Sequence, residues 1–142
     1  MLSPLLPAEA EDGTAIASTY IHSFADDPYT KCLFPTSKSA DRIRDVASRY
    51  PRNFSNPKIC YFKVIDGATS QIVSYSKWNM PAFIIQDLIH AGMVKKPDHF
   101  QPGSGILSDP EGLNDGLAVS FTEQIARAHS RTIDEEKPHI CK

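Results

Sequence analysis

Cysteine is sparse in this chain, and Cys32, Cys60 and Cys141 lie far apart. An odd count with no paired spacing argues against a disulfide framework and for a reducing compartment. A dominant charge is missing too. The formal net charge is −2 and the pI about 6.2, so no basic surface tracks a phosphate backbone and nucleic acid is not an expected partner. Long apolar runs are lacking. The longest cluster, "PAFIIQDLIHAGMV", is broken by Gln86, Asp87 and His90. Nothing approaches the roughly 18 apolar residues of a membrane span. The start, "MLSPLLPAEAEDG", has neither the basic end nor the apolar core of a secretory signal. These gaps predict a soluble cytoplasmic chain with no membrane partner.

The common catalytic signatures are also missing. None of His22, His90, His99, His129 and His139 pairs with another ligand type at an established metal spacing. No Gly-x-Ser-x-Gly elbow occurs. Gly103-Ser104-Gly105 is the only close glycine pair. It follows no predicted strand and has no Lys-Ser/Thr after it, so it reads as loop rather than phosphate cradle. Cys60 falls within a predicted strand and reads as a small buried hydrophobe. Cys32 has only Lys31 beside it to activate a thiolate. Asp26-Asp27 sits where the first helix should end. The helix dipole disfavours anions there, which makes this carboxylate pair the more notable of two; Glu135-Glu136 is the other.

What is present is an ordinary globular composition, 41% hydrophobic and 23% charged over 142 residues. That length fits a single domain spanning 1–142. Eleven prolines against seven glycines imply much loop, because proline interrupts helix and sheet interiors. Ile16, Tyr20 and Phe24 recur at steps of four. They predict a helix from Asp12, its cap, to about Pro28. An aromatic loop, "DDPYTKCLFPTSK", should follow. Ile43, Val46, Ala47 and Tyr50 predict a second helix, capped by Ser39 and stopped by Pro51. On it, Arg42, Arg44, Asp45 and Arg49 mostly take the opposite face.

The clearest element is "YFKVIDGATSQIVSYSKW", in which two strands flank a turn at Asp66–Ser70. Ile59, Tyr61, Lys63 and Ile65 alternate with Cys60, Phe62 and Val64. On the return, Ile72, Ser74, Ser76 and Trp78 alternate with Val73, Tyr75 and Lys77. Apolar groups on both faces suit a hairpin covered on both sides. Pro81 to His90 reads as a short helix. Lys95 to Asn114 reads as an irregular, mobile loop. Leu117, Phe121, Ile125 and Ala128 then stripe a helix ending near Arg131. "HIC" near the C-terminus looks like the start of another strand. Pro4 and Pro7 argue against a strand before Asp12. The fold class is therefore α/β of the mixed α+β kind, with helices packed on an antiparallel hairpin of an incomplete sheet.

Several phrases resemble a known family: "EDGTAIASTYIHSFADDPYTKCLFP", "RYPRNF", "YFKVIDGATSQIVSYSKW" and "KPHIC". They look like the N-terminal half of fungal-type members of the Gcn5-related N-acetyltransferase (GNAT) superfamily. The resemblance implies acetyl transfer from acetyl-CoA to a small-molecule or peptide amine. It makes the hairpin the second and third strands of a mixed sheet. It also implies an amine pocket lined by Phe24, Asp26, Asp27, Tyr29 and Trp78. The family's cofactor turn, Gln/Arg-x-x-Gly-x-Gly/Ala opening a helix, occurs nowhere in the sequence. No cofactor-binding residue is thus assigned, and the chain is expected to be a truncated, inactive half. The alternative is a non-catalytic remnant or protein-binding module, with self-association through an exposed sheet edge.

Overall fold

The computed structural model describes residues 4–98 and 112–132. The order is β1 (Leu5–Pro7), a short 3-10 turn at Ala10–Asp12, α1 (Gly13–Ser23), α2 (Pro28–Leu33), α3 (Ser39–Ser55), β2 (Ile59–Ile65), β3 (Ile72–Asn79), α4 (Ala82–His90) and α5 (Asp115–Thr132). The strands form one antiparallel sheet in the order β1-β2-β3. The mixed α/β class is as expected, and so are the hairpin, α4 and α5.

Four local expectations are corrected. First, Pro4 and Pro7 do not prevent a strand. Leu5, Leu6 and Pro7 pair with Val64, Lys63 and Phe62. The strand lies on the sheet edge, where a residue without an N–H is tolerated, and the next N–H, from Ala8, reaches the Tyr61 carbonyl at 3.0 Å.

Second, Asp12 does not cap α1 with its side chain. Its Oδ2 accepts the Glu9 N–H at 2.7 Å and the Lys63 ammonium at 2.6 Å.

Third, α1 ends at Ser23 and the aromatic loop contains a helix. Asp27 caps α2 by accepting the Thr30 N–H at 2.7 Å, and Pro28 opens it. Asp26 pairs with Lys31 at 3.2 Å. The two adjacent carboxylates therefore begin a helix, which the dipole favours, rather than end one.

Fourth, α3 runs through Pro51 to Ser55 and starts after Lys38, with no side-chain cap from Ser39. An interior proline costs about 3 kcal/mol. Packing offsets this, because the added turn carries Phe54. Its ring stacks on Tyr50 at 5.3 Å, and both are buried on the sheet.

The hairpin turn is held by its own residues. Asp66 accepts the Ala68 N–H at 3.2 Å and the Thr69 hydroxyl at 2.8 Å, which hold its carboxyl below the usual carboxylate range, the Thr69 bond most. Ser70 closes the turn at φ 57°. A bulge lies where Val64 faces Ser74 but Ile65 faces Ile72. Strict alternation would place Ile72 with Trp78. The bulge instead places it with Tyr75 against the core on the other face.

The sheet thus has a core on each side. Toward α1 and α3 lie Ala8, Ile16, Tyr50, Phe54 and Tyr61, with Ile59, Ile72 and Tyr75 against them. Toward α4 lie Cys60, Ile85 and Val94, with Phe62, Trp78 and Leu88. Gly13 permits the closest approach of α1 to α3. A Cβ there would sit 2.8 Å from the Tyr50 ring, and the Tyr50 hydroxyl is fixed on the Glu9 carbonyl at 2.8 Å.

The segment after α4 does not begin as a free loop. Val94 is buried, Lys95 pairs with Glu9, and the Lys96 ammonium donates to the carbonyls of Phe54 and Asn56 at the end of α3 and of Ile59 at the start of β2. Residues 99–111 of the expected loop lie outside the described residues, as do the strand expected at "HIC" and His99, His139 and Cys141.

Candidate binding cleft

A cleft of about 410 Å³ opens between α1, α2, α3 and the sheet. One wall comes from α1, where the spacing of Ile16, Tyr20 and Phe24 continues past the buried Ile16 to place Tyr20 and Phe24 at the mouth. The Thr19 hydroxyl, 3.0 Å from the Ile72 carbonyl, ties this helix to β3. A second wall comes from α3. Arg42, Asp45, Arg49 and Asn53 recur at three- and four-residue steps and line the cleft beside Val46 and Tyr50. The floor is Tyr61, Tyr75 and Lys77, side chains on one face of the hairpin.

Cations outnumber anions here. Arg42, Arg49 and Lys77 line the cleft with Asp45 as the sole carboxylate. Arg49 spends its charge on Asp45, one helical turn earlier. The Arg42 guanidinium lies over the Phe34 ring at 4.6 Å, and its buried Nε has no hydrogen-bond partner among the described residues. The Lys77 ammonium lies 6.0 Å from the Tyr61 ring centre. Partial burial pushes its pKa down first, and Arg52 and Arg49 push it further in the same direction. Among the described residues no carboxylate pairs with Arg42, Arg52 or Lys77. Three of the phenols are held protonated. Burial raises Tyr50 and Tyr75 and pushes Tyr61 up to about 12.

The five residues implied as an amine pocket are not brought together. Phe24 lines the cleft. Asp27 is occupied as the cap of α2, and Asp26 faces solvent beside Lys31. The Tyr29 ring meets Phe121 of α5 at 5.0 Å. Trp78 lies on the opposite side of the sheet with Cys60 and Ile85, its indole N–H donating to Ser76 Oγ at 3.0 Å. Cys60 is the small buried hydrophobe expected, and burial pushes its thiol up. Cys32 is exposed. Among the described residues no group of three His, Cys, Asp or Glu side chains could hold a metal ion, and no helix is long and apolar enough to cross a membrane.

Arg42 and Arg49 were expected on the solvent face of α3, and the structure corrects that. The signal that locates them is the second stripe, residues 42, 45, 49 and 53, which repeats with the helix period as regularly as the apolar one. Lys77 and Tyr75 share a strand face, which alternation shows; that this face looks onto α3 it does not.

No protein-family model, no curated protein and no solved structure matches this chain.

Proposed function

We propose that this chain is the acceptor-side part of a GNAT-like N-acetyltransferase domain, and that these 142 residues on their own do not transfer acetyl groups. The observation that carries the reading is the element order. Three helices separate β1 from the hairpin, and the hairpin strands are the second and third of one antiparallel sheet. The resemblance in wording implies that same position for the hairpin.

The residues present do not fit acetyl-CoA. A pyrophosphate needs converging N–H donors, usually at a helix start after a glycine turn. The helix α1 is preceded by Glu9, Glu11 and Asp12, which repel an anion. The start of α3 follows Lys38 with no glycine before it. At α5 the Asn114 side chain already accepts the Leu117 N–H at 3.2 Å.

Two measurements test the reading. Isothermal titration with acetyl-CoA should show no binding at micromolar or tighter, a level worth about 8 kcal/mol. Acetyl-CoA with a panel of primary amines should release no thiol. Tight binding or turnover would overturn the inactivity. The family assignment is tested by reading the coding sequence beyond Lys142 for a Gln/Arg-x-x-Gly-x-Gly/Ala turn within roughly 30 codons, the scale of a strand-turn-helix unit. Finding the turn supports it, and its absence there favours the second reading.

That second reading is a non-catalytic binding module. The charge of the cleft favours it, since unpaired Arg42 and Lys77 repel a protonated amine. So does the outer edge of β3, which has no strand beside it among the described residues. Such an edge can accept a strand from another chain, a second copy included. Sedimentation over a hundredfold concentration range checks self-association. A monomer throughout counts against pairing between copies.

A further inference from the structure

We propose that the cleft between α1, α3 and the sheet is a binding site for a small oxyanion, a carboxylate or phosphate group carried on a flat apolar body. The inference goes beyond the acetyltransferase reading and does not rest on it.

The head group follows from the charges. Asp45 answers Arg49, so Arg42 and Lys77 face the cleft without a carboxylate among the described residues. Arg42 is held in place, its guanidinium carbon 4.6 Å above the centre of the Phe34 ring. Stacking leaves the N–H edge of a guanidinium free, and that edge matches an oxyanion in a forked geometry. The Nε of Arg42 is out of contact with solvent and unpaired. That nitrogen is closed to a ligand as it is to water, so the guanidinium meets an incoming oxygen through its terminal N–H groups, on the side that lines the cleft. Lys77 is partly desolvated and has the like charge of Arg52 near it, so an anion relieves repulsion as well as adding attraction.

The body follows from the walls. Tyr20, Phe24 and Tyr75 line it with aromatic rings, and the buried Ile16 and Ala17 line its inner side. About 410 Å³ lies within the range of small-molecule sites. The aromatic walls offer nothing to a bare inorganic ion. A polyanion such as nucleic acid would need a wider basic surface, and the whole chain carries a net charge of −2. A cationic ligand meets two unpaired positive groups. A single small anion with an apolar body is the ligand that uses all the walls.

Nuclear magnetic resonance titration of the full 15N-labelled chain tests this, with no acetyl-CoA present. The probes are phenylacetate, phenyl phosphate, 2-phenylethanol and phenethylammonium. The structure assigns saturable shifts to the two anions at amides of α1, α3 and β3 around the cleft, with the alcohol about tenfold weaker and the ammonium without effect. Comparing the two anions identifies the head group. Lys77→Gln, at an exposed position, should weaken the tighter anion about fivefold with an unchanged melting curve, and Lys77→Arg should restore it. Arg42→Gln should weaken it by at least as much. Equal binding of the alcohol, shifts centred elsewhere, or full affinity in Lys77→Gln would overturn the proposal. Since Lys77→Gln alone decides the charge question, a poorly folded Arg42→Gln does not protect it. Acetyl-CoA titration can fail or succeed independently of all four probes.

Discussion

The two faces of the sheet are built on different chemistry from the same two strands. Toward α4, Cys60 and Ile85 are completely buried, and Phe62 and Trp78 close over them. Toward α1 and α3, the strands present Lys63 and Lys77 between aromatic rings. One face is an apolar layer. The other is a layer of rings and charges, closed near Asp12 and Lys63 and open at the cleft. Both faces bury a core, but only the face toward α1 and α3 also leaves donors without acceptors. Sites form where packing is left incomplete, so the difference locates the candidate site by itself.

Breaking the closed part of the charged face should cost most. Lys63 is 8% exposed and its ammonium is 2.6 Å from Asp12. Lys63→Met leaves Asp12 with the Glu9 N–H and only the more distant, exposed Lys95 ammonium. Removing one partner of a buried pair costs about 3–5 kcal/mol. Urea unfolding of the variant should show that loss at an unchanged m-value. A loss under about 1 kcal/mol would place the pair among solvated surface bridges.

On the apolar face, Ile85→Ala should cost about 2–5 kcal/mol, because a fully buried branched side chain leaves a cavity between β2 and α4. It should leave anion titration unchanged, since the cleft is on the other side of the sheet. Coupled loss of both would mean the two faces do not act separately.

How far could this be read from residues alone? The hairpin was legible because Asp66-Gly67 separates two β-branched, aromatic runs, and turn and period agree there. The apolar stripes of α1 and α3 were legible as periodicity. Their ends were not. Pro51 reads locally as a stop, but the extension carrying Phe54 is stabilised by the Tyr50 ring and by a core that includes Ala8 and Ile16, distant in sequence. Asp26-Asp27 reads as a helix end, and only the start of α2 shows that Asp27 caps a second helix. The strand β1 was missed because an edge strand needs few donors and its pairing with Val64 joins residues far apart in the chain. The cleft was least legible of all. Phe24 was singled out, but Arg42, Arg49 and Lys77 converge only after the sheet and helices have packed.

Alkaline pH should separate the faces next, with a smaller effect. Burial raises the phenols of Tyr50 and Tyr61 above their ordinary 10.0, Tyr61 to about 12. It likewise raises the Cys60 thiol above 9.0. The folded chain keeps protons that the unfolded chain releases, so this stability is intact below about pH 9 and is lost as pH rises toward these raised values. Lys96 runs the other way. Burial pushes it down to about 8 from 10.5, so between those values the unfolded chain holds a proton the folded one does not, and stability rises with pH. Thermal midpoints should therefore rise from about pH 8 to 9, level off toward pH 10 and fall above it. Tyr61→Phe should reduce the fall, and a steady rise to about pH 12 would contradict the balance.

The smallest effect belongs to α5, which has the same kind of apolar stripe as α1 but a different fate. Its start is anchored, with the Asn114 N–H on the Leu33 carbonyl at 2.8 Å and Phe121 against Tyr29. Beyond that point Ile125 remains 52% exposed. A period of 3.6 specifies a helix and a face, but it does not specify what covers the face. Ile125→Lys changes a half-exposed side chain in the interior of α5 to a good helix former. Stability in urea should change by no more than about 0.5 kcal/mol. A loss above about 1 kcal/mol would mean that the stripe is covered in solution, and sedimentation at rising concentration would then show whether a second copy covers it.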